Sequence, residues 1–193
     1  MKYINVLGIQ NSGSSAVYDY LVSRNDCEAP FGANEFKLCV DPMGLHNLYL
    51  NFYKNYSFMS ASNARFDFLN YTNKLESFFV YESKGVKKRL YNKNFDIISE
   101  DFINNVTKSK FYARPEFSNF KINKFENFLL KIKKNYFSFF PVIIPEQKEK
   151  FIIESKKYIN NIIQNNLSKK LKKNSNIILN QSVNIFDPIE SSN

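Results

Sequence analysis

Three observations predict an α/β fold built on a parallel sheet with flanking helices. Short apolar runs near the start and the end of the chain read as buried strands, the first run passes through a glycine-containing turn into a helix, and a long amphipathic helix leads back to the last run. Strands separated by helices imply parallel pairing with right-handed crossovers.

Residues 3–9, Tyr-Ile-Asn-Val-Leu-Gly-Ile, form the first strand. The helix after it carries Ala16, Val17, Tyr20 and Leu21 at helical spacing. A second strand is expected over Glu35-Phe36-Lys37-Leu38-Cys39-Val40, closed by Asp41-Pro42, because proline disfavours helix at the preceding residue. From about residue 43 to 140 the patterns are mainly helical. One stripe is Leu45, Leu48, Tyr49 and Phe52, and another is Phe125, Phe128, Leu129 and Ile132. This segment reads as a large helical insertion in a single domain spanning residues 1–193. A long helix is predicted over roughly 146–173, with Ile152, Ile159, Ile163 and Leu167 on one face. Asn176-Ile177-Ile178-Leu179-Asn180 reads as the third strand. Three strands are few for a doubly wound sheet, so either further strands lie in the 60–120 region or part of the domain is missing from the chain.

Composition narrows the function. With 44% hydrophobic residues, 20 Phe and 12 Tyr, the chain is too apolar for a disordered protein. No run reaches the roughly 18 apolar residues of a membrane span, and no secretory leader opens the sequence, so a cytoplasmic protein is expected. Cys27, Cys39 and His46 lack metal-ligand spacing, so both cysteines read as ordinary thiols and no metal is expected. The net charge of +9 favours anionic partners, although Lys, Asn, Ile and Phe are abundant together, as a biased base composition also produces. The cluster Lys169-Lys170-Leu171-Lys172-Lys173 ends a helical pattern, where cations complement the negative helix terminus. No RRM, KH or helix-turn-helix signature is present, so nucleic acid is not an expected partner.

The segment with chemistry in it is Gly8-Ile9-Gln10-Asn11-Ser12-Gly13-Ser14-Ser15. It satisfies G-x-x-x-x-G-K-[ST] at every position except the lysine, which is Ser14. Glycine allows a sharp turn with successive N–H groups pointing inward, and the helix that begins here adds its positive end. An anion is thereby held without a side-chain cation, with the Ser14 and Ser15 hydroxyls as further donors. A serine-rich helix cap after a strand has the same residues and is the plainer reading. The missing lysine argues against an enzyme that cleaves ATP or GTP, where that side chain reaches the β- and γ-phosphates.

The same stretch resembles the 5′-phosphosulfate loop of sulfotransferases that use 3′-phosphoadenosine 5′-phosphosulfate, especially those that sulfate polysaccharides. That loop runs glycine, two variable residues, Lys or Arg, Ser/Thr, Gly, Ser/Thr, Ser/Thr, then an apolar helix. Gly8, Ser12, Gly13, Ser14 and Ser15 match it, and Asn11 stands where the cation belongs. The resemblance covers about 15 residues closely. It implies a P-loop-type parallel sheet, a nucleotide sulfate donor held by Asn11, Ser12, Gly13, Ser14 and Ser15, and a carbohydrate or other hydroxyl acceptor. It also implies that Glu35, about two dozen residues past the loop, is the base that takes the acceptor proton; a solvated residue before a strand is the plainer reading of Glu35, and His46 is an alternative base. With Asn11 uncharged, the cation facing the leaving oxygen would have to come from Arg65, Lys84, Arg89 or Arg114. The family's 3′-phosphate site uses a downstream Arg and Ser. No arginine follows Arg114, and the segment from Asn180 to Pro188 looks like the approach to that site, which predicts a fragment or a shortened relative. A non-catalytic nucleotide- or anion-binding module of the same fold is the competing expectation. The aromatics Phe52, Tyr53, Tyr56, Phe66, Phe68 and Tyr71 are expected mainly in the core, with a sugar-stacking platform as the other use.

Overall fold

The computed structural model describes residues 2–8, 13–32, 34–77, 79–81, 87–91, 94–113, 140–167 and 176–182. Its centre is a three-stranded parallel sheet of β1 (Tyr3–Gly8), β2 (Cys27–Glu28) and β7 (Asn176–Ser182), in the order β1-β7-β2. β7 pairs with β1 from Tyr3↔Ile177 to Gly8↔Ser182, and with β2 at Cys27↔Asn176 and Glu28↔Ile177. Ile177, Ile178 and Leu179 are all buried although neighbours point to opposite faces. Both faces of β7 are therefore covered, which is why its sequence reads as an unbroken apolar run. The last strand in sequence lies between the first two, unlike the dinucleotide-binding order in which the second strand neighbours the first.

On one face packs α1 (Ser14–Val22), which meets Val6 and Ile178 through Tyr18. The helix lies where the sequence places it, but its buried face differs. Val17 and Tyr20 are exposed, while Tyr18 is buried with Leu21 and Val22 packed beside it. The Tyr18 hydroxyl donates to the Gly32 carbonyl, and this bond together with the ring's buried area turns the helix toward Tyr18.

The expected strand over Glu35–Val40 is a correction. Phe36 N–H donates to Asn180 O at 2.8 Å, one bond to the edge of β7, after which Lys37–Cys39 form a 3₁₀ turn. The Val40 and Asp41 amides both bond Lys37 O, and Gly44 N bonds Asp41 O at 2.7 Å. A chain closing on itself this way offers no ladder to a neighbour, and the strand on that side of β7 is instead the two-residue β2. A Cβ on Gly44 would sit well inside contact distance of the Leu38 carbonyl oxygen and 3.0 Å from Asp41 O. Gly44→Ala is expected to lower stability by about 1–3 kcal/mol, read as a fall in urea midpoint at unchanged slope.

The other face carries the larger core. α2 (Leu45–Tyr49) continues into a π-helical turn, Leu50–Lys54, closed by Asn55 N to Leu50 O at 2.8 Å; Leu45, Leu48 and Phe52 face inward as their spacing predicts. α3 (Phe58–Glu76) begins with a reciprocal capping box between Ser57 and Ser60 and buries Ala61, Ala64, Phe68 and Thr72. α4 (Phe95–Val106) buries Phe95, Ser99, Phe102, Ile103 and Val106. α5 (Lys148–Asn166) buries Phe151, Tyr158, Ile162 and Ile163. Tyr158 stacks on Phe102 at 4.6 Å between ring centroids, and its hydroxyl shares a 2.6 Å hydrogen bond with Ser99 Oγ, so the buried polar ends satisfy each other.

α5 is shorter than its pattern suggests. Leu167 is already extended at ψ 148°, and Lys169–Lys173 lie outside the described residues. Its inward stripe runs through Phe151 and Tyr158, whose rings bury more area than Ile152, which is 37% exposed. Between α3 and α5 stand two antiparallel pairs: β3 (Phe79–Tyr81) with β4 (Lys87–Arg89), and β5 (Thr107–Ala113) with β6 (Phe140–Pro145); β3, β4 and β5 fall in the 60–120 region, where further strands are one of the two alternatives the sequence offers, but none joins the parallel sheet. The expected stripe Phe125, Phe128, Leu129 and Ile132 lies outside the described residues. Phe52 and Phe68 are core, Tyr53 and Tyr71 pack against it, Phe66 is half-buried and Tyr56 is exposed. No helix among the described residues is long and apolar enough to cross a membrane.

Candidate functional site

In a parallel sheet, ligands bind outside the carboxyl ends of the strands. Here that edge consists of Gly8 at the end of β1, Ser182 opposite it in register, and Phe36 bonded to Asn180 on the far side of β7. Residues 9–12 lie outside the described residues, so Asn11 and Ser12 are not placed. Gly13, Ser14 and Ser15 are. Gly13 has φ +79°, the left-handed backbone that favours glycine, and it is the N-cap of α1. Ala16 N and Val17 N turn toward Gly13 O at 3.1 and 3.5 Å. Among the described residues no hydrogen bond takes up the amides of Ser14 and Ser15, two of the donors that every helix start leaves open. Among the described residues nothing lies within 4 Å of the position a Gly13 Cβ would take. The start of α1 thus presents open amide donors at a helix's positive end, a donor set that suits a phosphate or sulfate oxygen.

Glu35 comes to the same edge. The loop from Ala29 leaves β2, turns through Gly32 at φ +57°, and is pinned by Gly32 N to Ala29 O at 3.2 Å and by Asn34 N to Phe31 O at 3.1 Å. Phe31 and Phe36 stack at 5.0 Å between centroids and fasten both ends of the loop to the core. Glu35, just before Phe36, is half-buried with Oε2 3.8 Å from Lys37 Nζ. The Tyr18–Gly32 bond joins this loop to α1, so the Gly13 turn and Glu35 are held by one connected unit. The sequence carries no signal for that bond, since a tyrosine beside a glycine fourteen residues away has no pattern.

Other candidates are placed elsewhere. His46, on α2, lines a groove against α5. Arg65 and Arg89 belong to α3 and β4, outside the three-stranded sheet, and Arg89 pairs with Glu76 at 3.5 Å. Lys84 and Arg114 lie outside the described residues. Cys39 is pushed up to about 12 by burial, which keeps its thiol neutral and unreactive near neutral pH. No group of three or more potential metal ligands occurs among the described residues.

Compared with protein-family models, with curated proteins and with solved structures, the chain matches none.

Proposed function

We propose that this chain is a sulfotransferase-type α/β protein of P-loop architecture, with a large helical insertion at about 43–140, that transfers a sulfuryl group from 3′-phosphoadenosine 5′-phosphosulfate to a hydroxyl of a carbohydrate. The observation that carries the reading is the left-handed Gly13 leading directly into α1 after the carboxyl end of β1, with the Ser14 and Ser15 amides taken up by no described residue. The donor, when bound, supplies an activated sulfuryl group on a phosphate leaving group. The chain's residues then have separate tasks. The Gly13–Ser15 turn holds the phosphosulfate end by backbone N–H groups and hydroxyls, and the resemblance assigns Asn11 and Ser12 to the same task. Glu35, at the same edge, takes the proton from the acceptor hydroxyl as its oxygen attacks sulfur.

One observation favours a second reading, an anion-binding module without catalysis. No Lys or Arg lies within residues 8–15, and of the placed arginines Arg89 is engaged by Glu76. The experiment that separates the two is transfer of labelled sulfate from the donor to desulfated polysaccharides, with binding of adenosine 3′,5′-bisphosphate measured alongside. Transfer supports the enzyme, binding without transfer supports the module, and neither contradicts both.

Nucleotide specificity gives a further expected result. Without the loop lysine the phosphates are held by backbone donors, so adenosine 3′,5′-bisphosphate is expected to bind equally with magnesium or with EDTA. ATP is expected to bind no better with magnesium than without. A magnesium-dependent tight ATP complex in calorimetry would point to a kinase or NTPase.

A further inference from the structure

A second site lies on the opposite face of the sheet from α1. Between α2 and the first half of α5 is a groove of about 460 Å³, within the range of small-molecule sites. Residues 148, 152, 155, 156 and 159 fall on one face of α5 by helical spacing and line it from one side. Leu45, Tyr49, Phe151 and Ile159 give it an apolar body, and Ile152 stands exposed at its margin.

Its charged groups share one sign. Lys148 and Lys156 line the groove together with His46, and none of the described lining residues is acidic. Lys148 Nζ lies 5.2 Å from the centre of the Tyr49 ring, so this cation rests over an aromatic face at one end of the groove. Ser155 supplies an independent observation. Its Oγ is shut off from solvent and, among the described residues, has no hydrogen-bond partner. Buried hydroxyls are nearly always bonded, so an orphan in the wall of a groove marks a place where a partner is expected. In its present rotamer the Oγ is sealed from the groove as well as from bulk solvent, so it meets a ligand there only after a turn about χ1, which carries the hydroxyl into the groove, where it donates to an anionic oxygen. The Cys39 thiol, held neutral by burial, adds no opposing charge.

We infer that this groove binds a small organic anion with an aromatic or aliphatic body and one sulfonate or carboxylate head, the body against Tyr49 and Phe151 and the head between Ser155 and Lys156. The site is independent of the Gly13 loop and does not rest on the sulfuryl-transfer reading.

Naphthalene-2-sulfonate is a suitable probe, with naphthalene-2-sulfonamide as its neutral counterpart. Amide chemical shifts recorded during titration of the full chain are expected to saturate at one equivalent and to move chiefly in residues 45–49 and 148–159. The neutral compound should bind about tenfold more weakly, as should the anion to Lys156→Gln, because each loses a charge-assisted bond. Ser155→Ala should weaken the anion several-fold. Lys157→Gln, whose lysine pairs with Glu154 at 2.7 Å and does not line this groove, should leave binding unchanged and serves as the folded control. No saturable binding, shifts centred outside those two segments, equal binding of the charged and neutral compounds, or unchanged binding in both Lys156→Gln and Ser155→Ala would each overturn the inference.

Discussion

Asn11→Lys is expected to raise sulfuryl transfer by about a hundred- to a thousandfold, the usual worth of one donor aimed at a developing oxyanion. Transfer leaves negative charge on the bridging oxygen of the donor. On the proposed reading, a neutral amide at position 11 would offer that oxygen a hydrogen bond roughly half as strong as a charged one. Adding Glu35→Gln in the same background should remove most of the gain in transfer while leaving binding of adenosine 3′,5′-bisphosphate intact, because a base acts on the acceptor proton and not on the nucleotide. If Asn11→Lys binds the nucleotide yet gains no rate, alanine variants at Arg65, Arg89 and Arg114 decide the cause. A large loss in one identifies the existing cation, and no loss in any supports the binding-module reading.

Phe102→Ala is expected to destabilise the fold by about 3–5 kcal/mol, a large part of the roughly 5–15 kcal/mol that holds a domain together. Phe102 is 3% exposed, lies 5.8 Å from the Phe68 ring and 5.9 Å from Phe151, and stacks on Tyr158 at an interplanar angle of 14°. Removing its ring leaves a cavity where α3, α4 and α5 meet and withdraws the face against which Tyr158 holds its bond to Ser99. Phe102→Leu keeps much of the volume and should lose distinctly less. The urea midpoint reads both. A loss below about 1 kcal/mol for Phe102→Ala would mean that this aromatic cluster is not the centre of the core.

The sequence made β1, β7 and α5 readable through an apolar run or repeat, in the case of β7 because both of its faces are covered; α1 lies where its spacing places it although Val17 and Tyr20 of that spacing are exposed. β2 was invisible because two residues have no period, and the apolar Glu35–Val40 segment misled because Phe36 and Leu38 are indeed buried, but in a turn that Gly44 allows to close tightly. β4 and β5, Lys-Lys-Arg and Thr-Lys-Ser-Lys-Phe-Tyr-Ala, lack the apolar alternation that marks a strand. At the candidate site, glycine spacing alone picked out the left-handed Gly13 and the start of α1. The groove between α2 and α5 was beyond reach, since it joins residues about a hundred positions apart and one of its features is a serine without a hydrogen-bond partner among the described residues.

The central claim is that the turn from Gly8 to Ser15 holds an anion by its backbone. Calorimetry with adenosine 3′,5′-bisphosphate on the parent, Gly13→Ala and Gly32→Ala tests it most directly. Both glycines have positive φ, and both have open space around the added Cβ. The two variants should therefore lose similar stability, on the order of 1–2 kcal/mol from left-handed backbone strain, as thermal unfolding will show. Only Gly13→Ala alters the N-cap of α1, whose open amides the proposal assigns to the anion, so it alone should lose binding, by about tenfold or more. Binding in Gly13→Ala equal to that of the parent would contradict the account.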